Sequence, residues 1–173
     1  MDTLQALATR KSVRKFTQQS LSQEDIRKIL SAGMSGPSCV NSRPWSFVVV
    51  TDKEMLGRMA DANGRPAEPL RGAAMGILVC GDLERAFKPA PEYWVIDTAT
   101  ACQNMILAAH DLGIGSVWLG TYPQMERVKA QAKLFGLPES IVPHSIIAFG
   151  YAQNPNSEPR DLYEADRVHF EKW

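Results

Sequence analysis

The stretch from Tyr93 to Leu112 constrains this chain more than any other: it is rich in Ala, Ile, Leu and Met, holds few charges, and is too long for a strand. A segment apolar nearly all round at that length is expected to be a buried central helix, and Gly113 and Gly115 after it supply the stop. Short apolar runs around it read as strands by length and flanking residues: Trp45 to Val50, Met75 to Cys80, Ser116 to Leu119 and Ser145 to Phe149. Further helices are expected over Thr3 to Ala8, Lys53 to Ala60 and Gln124 to Phe135, and from Ser22, a cap followed by Glu24 and Asp25, to about Met34. Strands and helices alternate, which predicts an α+β fold, an α/β sandwich with a central mixed sheet of four to five strands flanked by helices. All 173 residues are expected to form one domain, residues 1–173.

Composition narrows the function classes. Nineteen Lys and Arg balance nineteen Asp and Glu, so no basic face for nucleic acid is expected, and anion binding is left to local clusters. Cys39, Cys80 and Cys102 have no CxxC spacing, so neither a disulfide framework nor a metal site is expected. No apolar run approaches membrane-spanning length and the first residues do not read as a signal peptide, so a cytoplasmic protein is expected.

Four segments could carry chemistry. In Arg10-Lys11-Ser12-Val13-Arg14-Lys15-Phe16, an extended backbone puts Arg10, Ser12 and Arg14 on one side, and two guanidiniums beside a hydroxyl suit a phosphate. The alternative is a solvated basic face. The loop Pro37-Ser38-Cys39-Val40-Asn41-Ser42-Arg43-Pro44-Trp45 can present amide and hydroxyl groups to a heterocycle, or it is an ordinary turn before a strand. In Gly113-Ile114-Gly115-Ser116-Val117-Trp118-Leu119-Gly120, glycines bracket a strand and permit close approach of backbone to a flat ligand; a helix stop before a buried strand explains them equally well. Arg160, in a proline-set tail, means nothing alone.

Taken in order, these segments resemble the nitroreductase family of FMN proteins: a basic segment after the first helix, PSxxNxxPW before the first strand, GxGSxWxG after the central helix, and Gly150-Tyr151 followed by Pro159-Arg160. The resemblance implies that Arg10, Arg14 and Arg160 lie near the FMN phosphate and ribityl chain, with Lys11 and Ser12 near the phosphate or pyrimidine edge. It implies that Pro37, Ser38 and Asn41 reach the flavin from a second subunit, and that Val117, Trp118, Leu119 and Gly120 line the isoalloxazine. The protein would then be a homodimer with FMN at the subunit interface and the C-terminal arm, Gln153 to Trp173, exchanged across it.

The same resemblance implies an NAD(P)H-dependent FMN oxidoreductase. NADPH or NADH would give hydride to the flavin, and a flat small-molecule acceptor such as a nitroaromatic or quinone would take it. The flavin carries the chemistry, so no catalytic side chain is required, and His110 is expected to serve the C-terminus of the central helix. Arg43 stands where the family often has Gln, and Glu158 where a cation is frequent. An FMN storage or sensing module, or another flavin reaction such as reductive dehalogenation, would need the same contacts.

Overall fold

The computed structural model describes every residue from Met1 to Trp173. Helices and strands follow in the order α1 (Thr3–Thr9), α2 (Gln23–Met34), β1 (Trp45–Val50), α3 (Lys53–Asn63), β2 (Met75–Asp82), α4 (Tyr93–Asp111), β3 (Gly115–Gly120), α5 (Met125–Phe135) and β4 (Ile141–Gly150). Local chemistry sets several boundaries. Asp2, Ser22 and Asp52 each accept a hydrogen bond from the backbone N–H three residues on, at 2.8, 3.0 and 2.8 Å, and so cap α1, α2 and α3. Gly113, with φ of 74°, ends α4 in the left-handed region that a side chain resists.

The four strands form one sheet in the order β1-β2-β4-β3. Every ladder is antiparallel, with Trp45 opposite Gly81, Leu78 opposite Ile146 and Trp118 opposite Ile147. The mixed sheet expected from sequence is therefore corrected: parallel pairing is confined to one isolated bridge, Ser12 with Ser116. Alternation between strands and helices suggested parallel crossovers, but the helical connections here are long enough to return the chain in either direction.

Side chains alternate along β2 and build a core on each face of the sheet. Leu78 and Cys80 pack with Leu56, Met59, Leu70 and Ile146 on the side of α3. Met75, Ile77 and Val79 pack with Ile29, Cys102, Met105 and Phe149 on the side of α2 and α4. Helix α4 is the longest element, as its composition predicts, and none of the helices is long and apolar enough to cross a membrane.

Three strands, β2, β3 and β4, run beyond their predicted ends. The sequence predicts that β4 starts at Ser145, whereas the strand begins at Ile141 and takes in Pro143. The ladder tolerates the proline because the register shifts there: Val79 faces Ser145 but Cys80 faces Pro143, leaving His144 as an extra residue in a bulge. The tail after Gly150 has one short 3-10 turn, Ala165–Arg167, and is largely exposed, with Phe170 at 82% and Trp173 fully open to solvent.

Candidate functional site

The basic segment lies alongside the open edge of β3. Val13 donates its backbone N–H to the Ser116 carbonyl at 2.8 Å, and Val13 and Phe16 are buried as pegs. Glycines receive both pegs: a Cβ on Gly115 would stand 2.8 Å from a Val13 methyl, and one on Gly150 would stand 2.9 Å from the Phe16 ring. With Val13 turned inward, Ser12 and Arg14 are left exposed, and Arg10 and Lys11 are half-buried.

The tail folds back onto this segment. Arg160 donates its backbone N–H to the Ala8 carbonyl at 3.1 Å and its guanidinium to the Arg10 carbonyl, and Lys11 bonds the Asn156 carbonyl. The Ser157 hydroxyl donates to the Thr9 carbonyl. The tail thus brings Arg160 to the segment that carries Arg10, Lys11, Ser12 and Arg14.

A cavity of about 310 Å³ opens beside them, lined among others by Thr9, Arg10, Lys11, His110, Gly115 and Ser116. Thr9 was invisible to motif reading: its hydroxyl donates to the Gln5 carbonyl at 2.7 Å and so takes the His110 Nε2–H at 2.7 Å. Burial first, and the Arg10 charge second, lower the His110 pKa. His110 is therefore the neutral ring at neutral pH, held by Thr9, and does not answer the helix dipole as a cation.

The third segment forms the sheet edge. Val117 and Leu119 are buried against the α3 side, while Trp118 is half-buried on the α4 side and donates Nε1–H to Ser145 Oγ at 2.7 Å. Because the Ser116 carbonyl faces outward to Val13, the period of an antiparallel strand turns the backbone groups of Trp118 and Gly120 outward too. The Gly120 carbonyl accepts from Asn63 Nδ2 at 3.2 Å and from Arg127 at 3.0 Å. The Trp118 peptide faces the open side of the edge between them.

The second segment lies elsewhere. Its loop packs on the N-terminal half of α4: Cys39 N–H donates to Asp97 Oδ1 at 2.9 Å, and Thr100 Oγ1 donates to the Pro37 carbonyl at 2.9 Å. Val40, Asn41 and Arg43 all adopt left-handed backbone, φ 46°, 57° and 51°, a conformation that non-glycine residues hold only when their surroundings impose it. Ser38 Oγ accepts from the Arg43 N–H at 2.9 Å, and the Arg43 guanidinium reaches the Met34 carbonyl at 3.1 Å, so the residue that departs from the family pattern ties the loop to the end of α2. Asn41 and Val40 are exposed.

From Asp97, under the loop, to His110, beside the basic segment, α4 rises about 20 Å at the helical pitch. One chain therefore brings together three of the four segments and holds the fourth apart. Sequence reading also missed Asp97, a buried carboxylate with one oxygen lacking a partner; it sits in an apolar helix with no motif around it.

The chain is an antiparallel α+β sandwich with a cationic edge and a separate polar loop at the far end of its central helix. Residues 7–74 and 64–151 match the pattern of the Nitroreductase family. The chain belongs to the nitroreductase family. It is 44% identical over 174 residues, covering all of this chain and 88% of the relative, to a Methanothermobacter thermautotrophicus protein provisionally named NADH dehydrogenase/NAD(P)H nitroreductase. A Bacteroides thetaiotaomicron crystal structure with the same provisional name superposes with TM-score 0.90 at 39% identity, covering 98% of this chain and 97% of that one. An FMN-dependent nitroreductase from Clostridium difficile superposes with TM-score 0.90 at 26% identity, covering 99% of this chain and all of that one.

Proposed function

We propose that this protein is an NAD(P)H-dependent FMN oxidoreductase that works as a homodimer and passes electrons to a flat organic acceptor such as a nitroaromatic or quinone. One observation carries the reading: the cationic edge and the Pro37 to Trp45 loop lie at opposite ends of α4. A second copy related by a two-fold axis can bring its own loop to the first copy's edge, and the reverse, completing two sites at once. The exposed tail, with Leu162, Tyr163, Phe170 and Trp173 open to solvent, supplies apolar surface for such a partner.

The donor set suits FMN. Arg10, Arg14 and Arg160 with Lys11 and the Ser12 hydroxyl would hold the phosphate and ribityl chain through charge-assisted hydrogen bonds. The open edge at Val117 to Gly120 would take the ring system, with the outward Trp118 peptide offering a donor and an acceptor. Pro37, Ser38 and Asn41 of the second copy would close the ring's other side. Bound FMN would supply the electron chemistry, taking hydride from NADPH or NADH and giving it to the acceptor. The chain's own part is to bind, to orient and to set the charge: cations near the electron-accepting end favour its electron-rich form, and no side chain needs to shuttle a proton.

Anaerobic stopped-flow mixing tests this. The purified protein should be yellow, and NADPH or NADH should bleach its visible absorbance, which a nitroaromatic or quinone then restores. A protein that holds FMN but bleaches with neither donor would be a storage or sensing module instead.

A further inference from the structure

The β4 bulge turns His144 into a part of the fold for which the proposed reaction has no use. It is 7% exposed, its ring lies 5.8 Å from Trp94 and 6.2 Å from Trp118, and it begins a directed chain of hydrogen bonds. An indole nitrogen can only donate, so Trp118 Nε1–H, 2.7 Å from Ser145 Oγ, makes that hydroxyl an acceptor. Ser145 Oγ lies 3.0 Å from His144 Nδ1. Ser145 is buried and its hydroxyl makes no other bond, so its proton goes to Nδ1, which leaves the one proton of the neutral ring on Nε2. Burial pushes the His144 pKa down to about 4, so the ring stays uncharged through the neutral range.

We propose that Ser145 and His144 are positioning residues for the proposed flavin edge: the chain Trp118 Nε1–H, Ser145 Oγ–H, His144 Nδ1 locks the Trp118 indole, and with it the strand peptide that faces the ligand. The proposal rests on the FMN reading given above. Trp118 is half-buried at a sheet edge, where an indole N–H can turn to water as readily as to protein. Ser145 is 2% exposed and has no such freedom, so it holds the indole in one rotamer. The bulge makes this possible, because a regular strand would point residue 144 to the opposite face from residue 145.

The test uses the full-length protein with 15N-labelled tryptophan. Trp118→Phe identifies the Trp118 indole signal. Ser145→Ala should shift that signal and speed its exchange with solvent while the FMN content stays unchanged, and kcat/KM for the nicotinamide donor should fall about three- to tenfold. Ser145→Thr should restore both. His144→Asn, whose side-chain oxygen can still accept from Ser145, should stay close to wild type where His144→Phe does not. An indole signal unmoved by Ser145→Ala would overturn the hydrogen-bond chain, and a moved signal with unchanged kcat/KM would overturn the positioning role. Wild-type protein that takes up no FMN would instead overturn the cofactor assignment, and with it the link to turnover, while the indole signal still decides whether the chain exists.

Discussion

Arg10 and Arg160 meet through the Arg10 carbonyl, so a cation that lines the cavity and a cation of the tail also form a structural clasp between the end of the first helix and the tail. Arg10→Ala removes a charge but keeps the carbonyl that Arg160 grips. It should weaken FMN about ten- to a hundredfold by loss of one charge-assisted contact, with little change in melting temperature. Flavin retention on dialysis, measured beside a thermal melt, checks this; full retention would remove Arg10 from the phosphate site. His144 carries a second prediction. Its folded pKa, about 4, lies below its ordinary value, so the unfolded chain binds more protons between the two and stability falls as pH drops through that window. The effect is fully absent above about pH 6.5 and approaches roughly 3 kcal/mol near pH 4, to which His110, lowered by the same cause, adds with the same sign. Urea unfolding of wild type and His144→Asn at pH 7 and pH 4.5 should show a smaller loss in the variant; equal losses would reject the assignment.

Among the elements, the strip of chain from Arg10 to Phe16 depends on what β3 and β4 lack. Gly115 and Gly150 leave room for Val13 and Phe16, and a methyl at Gly115 forces the strip off the edge. Gly115→Ala should cost about 1 to 3 kcal/mol and lower FMN affinity, whereas Gly115→Ala with Val13→Ala should recover part of both. Equal losses in the single and double variants would show that the two residues do not meet. These elements also mark how far sequence reasoning reaches. The α4 helix was legible from length and apolarity, and the α2 cap from Ser22, because both signals are local. The three clustered site segments were recognised by their order along the chain. The antiparallel direction of every ladder was not legible, since it depends on where long connections return the chain. Nor was the bulge, which only the pairing of Cys80 with Pro143 and of Val79 with Ser145 reveals. Asp97 and Thr9 stayed hidden for a related reason, having no neighbours in sequence that share their role.

For the molecule as a whole, the antiparallel sheet is complete without a fifth strand, and the tail beyond Arg160 contributes little to either core. In the proposed dimer, stability and site assembly would fall to different surfaces, the first to the two layers about β2 and β4, the second to α4, the loop and the arm. The separation of the half-sites along α4 has a genetic consequence. If each site takes Arg10 from one copy and Asn41 from the other, two chains that are each inactive can rescue one another. In a mixed dimer of Arg10→Ala and Asn41→Ala, both lesions fall in the same site and the other site is wild type throughout. Random reassortment of equal amounts makes half the dimers mixed, so co-expression should return about a quarter of wild-type activity when it is assayed at an FMN concentration too low to load either parent. Recovery of nothing would mean that each chain furnishes its own loop, and recovery scaling with the ratio of the two chains would count the subunits per site.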